Sequence, residues 1–190
     1  MKLKHLFILS VAAVPSGALA ADPQVDVRTN LGTIRLELYP AKAPKTVENF
    51  LQYVKDGHYN GTVFHRVIDG FMIQGGGFDA AYKQKSTRDP IQNEAKSGVK
   101  NEVGSIAMAR TSAPHSASAQ FFINVKDNAF LNAAQAQDGW GYTVFGKVVS
   151  GMDVVTKIAK APTGSGGPFR TDVPKQPVVI ETVTVVGAKK

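Results

Sequence analysis

The run FHRVIDGFMIQGGGF, from Phe64 to Phe78, restricts the fold of this chain more tightly than any other stretch. Its first half alternates, with Phe64, Arg66 and Ile68 set against His65, Val67 and Asp69. A period of two places successive side chains on opposite faces of a strand. Asp69-Gly70 is a turn signal, since both residues tolerate the backbone angles that a tight reversal needs. A second short run, Phe71-Met72-Ile73-Gln74, follows, and Gly75-Gly76-Gly77 is expected to stop it. If the two strands pair, Arg66 and Gln74 share one surface beside Phe71 and Met72. A cationic donor and an amide next to an apolar floor is the composition of a binding site. The same pattern also fits an ordinary hairpin whose arginine faces water.

Around this hairpin the pattern is mostly that of short strands. Val25 to Thr29 alternates, Asn30-Leu31-Gly32 turns, and Thr33 to Tyr39 alternates again with Ile34, Leu36 and Leu38 on one face. From Thr46 the period changes to that of a helix, with Val47, Phe50, Leu51 and Val54 on one stripe and Gly57 as its stop. Phe78 to Lys100 is polar and aperiodic, a long irregular stretch of the kind that is more often functional or mobile than structural. Gly104 to Arg110 and Gln120 to Asn124 read as further strands. The adjacent Phe121 and Phe122 must then face opposite sides, one toward a core and one toward a pocket. Asn128 to Gly141 is a loop, Tyr142 to Val149 a strand and Met152 to Ala159 a second helix. Gly164 to Pro168 reads as a flexible linker, and Val178 to Val186 as the last strand. Many antiparallel-type strands with only two helices argue against a parallel α/β sheet. The expected fold is mainly β, a closed or nearly closed barrel with a helix over each opening, which removes the exposed edges and buries both apolar stripes.

The first twenty residues differ in kind from the rest. Lys2 and Lys4 precede an apolar run from Leu6 to Val14, and Ala18-Leu19-Ala20 forms a small-x-small end. These three features in this order describe a secretory signal peptide cut between Ala20 and Ala21, leaving residues 21–190 as one domain. The apolar run is too short to span a bilayer, and no later stretch is a candidate. The expected location is therefore the periplasm. Loss of Lys2 and Lys4 lowers the formal charge from +7 to +5, spread over scattered lysines and arginines with no interleaved aromatic pattern. That argues against a nucleic-acid partner. With no cysteine, neither disulfides nor thiol chemistry are available.

Other motifs carry less. The glycine triplet has no following Lys-Ser or Lys-Thr and opens no helix, so it is not a phosphate loop and instead allows close backbone approach or a bulge. His58, His65 and His115 lack metal-ligand spacing, and no metal or cofactor is expected. The alternation places His65 opposite Arg66, as a core histidine with a satisfied hydrogen bond. Ser112, Ser116 and Ser118 sit in a loop without a nucleophile elbow, so hydrolysis is disfavoured.

Taken together, FHRVIDGFMIQGGGF, GSIAMAR, AQFFINV, NAFLN and VFGKVVSGMDVV resemble the cyclophilins, a family of peptidyl-prolyl cis-trans isomerases, in collinear order over nearly the whole chain after the leader. With a signal peptide in front, the resemblance is to the periplasmic cyclophilins of Gram-negative bacteria. It implies an eight-stranded antiparallel barrel capped by two helices. It also implies that Arg66 is the active-site arginine and Gln74 its glutamine partner, which either binds the substrate carbonyl or holds Arg66. Phe71, Met72, Phe122 and Leu131 match the proline pocket, and Ala109 and Gln120 the peptide groove. Two positions depart from the family pattern: its tryptophan is Phe130 here and its histidine is Tyr142. The family tryptophan bears on cyclosporin binding, so weakened affinity for that drug is expected. The substrates implied are proline-containing unfolded or extended polypeptides, handled by a monomer. The rival reading is a proline-peptide binding chaperone or adhesion module with incidental isomerase activity.

Overall fold

A computed structural model describes residues 22–187; the leader therefore lies outside the described residues. The strands are β1 (Gln24–Thr29), β2 (Gly32–Leu38), β3 (Thr62–Ile68), β4 (Met72–Asp79), β5 (Ser105–Met108), β6 (Phe121–Asn124), β7 (Val144–Ser150), β8 (Thr163–Gly166), β9 (Phe169–Pro174) and β10 (Val179–Val185). Helix α1 spans Pro44–Lys55 and α2 Met152–Ala159. Eight of the strands close an antiparallel barrel in the order β1-β10-β3-β4-β6-β5-β7-β2. The expected eight-stranded barrel with two helices is the observed fold.

Alternation explains the barrel. Val25 and Val27 from β1 and Ile34, Leu36 and Leu38 from β2 all point inward and are fully buried. Phe50 of α1 enters the same cluster, with its ring 5.1 Å from those of Tyr59 and Phe145 and 5.9 Å from Phe121. Burial of such a ring contributes about 1.5–3 kcal/mol. Val155 and Ile158 of α2 join it too. Helix α1 has no side-chain cap of its own, since Ala43 stands at its N-cap. Glu94, from the long irregular stretch, replaces that cap: its carboxylate accepts from the Thr46 N–H at 2.9 Å, the Thr46 hydroxyl at 2.7 Å and the Lys45 N–H at 3.2 Å. An acidic group at the positive end of a helix satisfies donors the helix cannot. The aperiodic segment is thus tied to α1.

Three expectations need correction. First, the glycine triplet does not stop a strand: β4 runs through it. At Gly77 a Cβ would lie 2.5 Å from Cγ of Gln120, so glycine here lets that side chain cross the strand. Second, strict alternation fails in β3. The pairing shifts between Phe64 and Arg66, where Phe64 opposes Gly75 and Arg66 opposes Gln74. This bulge sends both His65 and Arg66 outward, between the inward Phe64 and Val67. Third, the supposed linker is a hairpin, β8 paired with β9 through Gly167 and Pro168. Its glycine content marks a tight reversal, with Gly167 at φ 51°.

Candidate active site

The outer face of the barrel carries the site, and strand register assembles it. One rung runs across the sheet: Arg66 opposite Gln74, Gln74 opposite Phe122, Phe122 opposite Ala107, and Ala107 opposite Val144. Phe121 faces the barrel interior, whereas Phe122 joins Met72, Ala107, Leu131 and Val144 in a second apolar cluster outside it. The two phenylalanines divide as the alternation requires. Phe71, Ala109 and Tyr142 pack at the edge of this cluster.

Above that floor is a cavity of about 370 Å³. It brings together nine of the ten residues expected at the site: Arg66, Gln74, Phe71, Met72, Ala109, Gln120, Phe122, Leu131 and Tyr142. Phe130 is the exception. It is 58% exposed and stands outside the cavity wall, with its ring stacked on Phe71 at a centroid distance of 5.7 Å. It forms an outer apolar rim beside Phe71.

The polar groups are arranged unequally. Arg66 is exposed and, among the described residues, its guanidinium makes no hydrogen bond or ion pair. Gln74 does not hold it; its Nε2 donates instead to Oε1 of Gln120 at 3.0 Å. The Tyr142 ring meets Phe122 edge-on at 5.7 Å and lies 4.5 Å from the guanidinium carbon of Arg110. Arg110 is itself fixed: its side chain is 4% exposed, paired with Asp138, and donates from Nε to the Gly141 carbonyl at 3.0 Å. Backbone N–H groups of Trp140 and Gly141, together with Arg110, hold the Asp138 carboxyl down to about 2. One wall is therefore clamped and the arginine opposite is unpaired.

Four residues lining the cavity were not expected there: His65, Phe78, Arg110 and Phe169. His65 is buried as anticipated, but its Nδ1 has no hydrogen-bond partner. Its ring lies between Phe78, at 4.6 Å, and Phe169, at 5.3 Å. Burial, with the positive Arg66 nearby, pushes its pKa down to about 4. The bulge hid His65, and the Gly-Pro composition around Phe169 disguised a strand. Arg110 ended a run read only for its small residues. Among the described residues no cluster of His, Cys, Asp and Glu could hold a metal ion, and no helix is long and apolar enough to cross a membrane.

A closed antiparallel barrel with two helices, bearing on its outer face an apolar cavity edged by an unpaired guanidinium, is the class of fold and site that the chain presents. Comparison with known proteins gives the class its name. Residues 24–185 match the family described as cyclophilin type peptidyl-prolyl cis-trans isomerase/CLD. The chain is 59% identical over 162 residues to peptidyl-prolyl cis-trans isomerase B of Escherichia coli K12, covering 85% of this chain and 98% of that protein. It is 53% identical over 183 residues to a peptidyl-prolyl cis-trans isomerase of Acinetobacter baylyi, covering 96% of each. Among solved structures, a Cryptosporidium parvum cyclophilin type isomerase determined in the presence of the dipeptide Ala-Pro aligns with a TM-score of 0.71 and 26% identity, over 87% of this chain and 99% of that one. The chain belongs to the cyclophilin-type peptidyl-prolyl cis-trans isomerase family and is an isomerase of that class.

Proposed function

We propose that this isomerase turns X–Pro bonds by a non-covalent mechanism centred on Arg66. An X–Pro bond prefers trans by only about 0.5–1 kcal/mol, yet its rotation meets a barrier of roughly 18–20 kcal/mol because twisting destroys amide resonance. Catalysis needs only a site that favours the twisted amide over both planar forms. As the bond twists, the prolyl nitrogen becomes pyramidal and regains a lone pair. The Arg66 guanidinium, a fixed fork of donors, donates to that lone pair. A planar amide nitrogen is a poor acceptor, so the interaction is gained mainly in the transition state. Phe71, Met72, Phe122 and Leu131 grip the pyrrolidine ring while the preceding carbonyl swings, and Ala109 and Tyr142 border the groove. Gln74 orients Gln120, whose own amide N–H groups serve the moving carbonyl. The single observation that carries this reading is the unpaired Arg66 at the edge of the apolar cavity.

In this reading residues 1–20 direct export, and residues 21–190 act as a monomer in the periplasm, where they speed the folding of exported polypeptides. The basic start, apolar run and Ala-Leu-Ala end support export. Two experiments test it. Arg66→Ala should lower kcat/KM on a proline peptide by about 100-fold or more, as removal of a transition-state donor does, without lowering the melting temperature. Near wild-type turnover would refute the assignment. N-terminal sequencing of the periplasmic protein should begin at Ala21, and a full-length chain retained in the cytosol would refute export.

A further inference from the structure

Beneath the apolar floor lies a string of buried amides that the reaction does not use. Asn101, Asn124 and Asn128 are 1%, 0% and 2% exposed. Asn128 Nδ2 donates to the Phe71 carbonyl at 2.9 Å and to Asn124 Oδ1 at 2.7 Å. Asn124 Nδ2 donates in turn to Asn101 Oδ1 at 3.2 Å and to the Ser105 hydroxyl at 2.9 Å. Asn101 Nδ2 then reaches Asn132 Oδ1 at 3.2 Å and the Tyr142 carbonyl at 3.4 Å. The string thus begins on the backbone of Phe71 and ends on that of Tyr142, two sides of one cavity. Register explains its position, since Asn124 pairs with Met72 two residues along the ladder from the pairing of Phe122 with Gln74, past Ile73 and Ile123.

Apolar side chains could fill this space at less desolvation cost, because each buried amide must find partners for both its donors and its acceptor. A satisfied polar network instead selects one arrangement of the segments it joins. The joined segments here are the β3–β4 turn, the 128–132 segment and the lead into β7, which single backbone bonds also tie: Val125 N–H to the Phe71 carbonyl at 3.0 Å and Tyr142 N–H to the Leu131 carbonyl at 2.9 Å. We propose that Asn128, Asn124 and Asn101 are positioning residues that hold the Phe71 and Tyr142 sides of the proline pocket at a fixed separation, and so set peptide affinity. The inference rests on the reading of Phe71 and Tyr142 as substrate-contacting residues. Neither the asparagines nor Ser105 lines the cavity, so any effect on peptide passes through those walls.

The test compares Asn124→Leu and Asn128→Ala with the parent protein in peptide binding, turnover and backbone NMR. The dissociation constant for a proline peptide should rise about tenfold, a change of the size expected for one lost contact, while turnover at saturation stays within about twofold. Asn128→Ala, at the Phe71 end, should also shift the amide signal of Tyr142. Should Asn124→Leu fail to fold, Asn128→Ala carries the test, because it lies in a turn and removes only one end of the string. Unchanged affinity with an unmoved Tyr142 signal in a folded variant overturns the proposal, as does lost turnover with unchanged affinity. Arg66→Ala is run alongside: if it keeps turnover, the site reading fails, whereas if it alone loses turnover and the asparagine variants bind normally, only the positioning role fails.

Discussion

Arg66 and His65 are neighbours in sequence, both turned outward by one bulge, yet their surroundings differ sharply. The arginine is exposed and unpaired; the histidine is 2% exposed between two phenylalanines. A histidine held near pKa 4 in the native state, against 6.5 in the unfolded chain, makes stability fall as pH drops between those values. Above pH 6.5 both states are neutral there, and below it the unfolded chain takes a proton that the native chain refuses. The loss approaches about 3 kcal/mol by pH 4, and urea unfolding of the parent and His65→Gln should show a flatter slope in the variant over that window. Equal slopes would place the acid sensitivity elsewhere. For Tyr142→Ala, the ring against Phe122 and Arg110 goes but Arg66 stays, so KM should rise about tenfold with kcat little changed. A collapse of kcat with unaltered KM would give Tyr142 a direct part in catalysis. At this scale the site was largely legible. Arg66, Gln74, Phe71 and Met72 lie close in sequence around one turn, and the remaining groove residues came through the family resemblance. The direction of Phe130 was not legible, because a loop side chain has no alternation to fix it.

Elements were legible where a period existed and illegible where composition imitated a loop. Alternation identified β1, β2 and the inward faces of β6 and β7, and the helical stripe identified α1 and α2. A bulge adds one residue without changing the apparent pattern, so nothing in FHRVID announces that His65 and Arg66 share a side. Likewise β8 has no apolar periodicity, and its pairing with β9 is seen only in the fold. The long stretch from Phe78 to Lys100 shows the converse case: aperiodic, yet anchored through Glu94 to the first turn of α1. Glu94→Ala should therefore cost about 1 kcal/mol, typical of the loss of a helix cap, measured by urea denaturation. A change within ±0.5 kcal/mol would mean that water replaces the carboxylate without loss.

On the scale of the whole molecule, the barrel interior and the site are built from opposite faces of the same strands. Ile73, Phe121, Ile123 and Ile106 fill the inside while Met72, Phe122 and Ala107 form the floor outside. The face of the candidate site thus rests on a close-packed support, which resists the sub-ångström shifts that would misplace a donor. Closure of the barrel was readable from strand number and the need to cover edges, whereas the strand order was not, because pairing between β3 and β10 depends on contacts far apart in sequence. The central claim is that one guanidinium recognises the prolyl nitrogen only when the amide is twisted. Exchange spectroscopy on a short Ala-Pro peptide tests it most directly, with the parent protein and with Arg66→Ala at concentrations that saturate the peptide. The account predicts rapid cis–trans exchange cross-peaks with the parent, and with Arg66→Ala only the shift changes of binding. Exchange cross-peaks of equal strength from Arg66→Ala would contradict it.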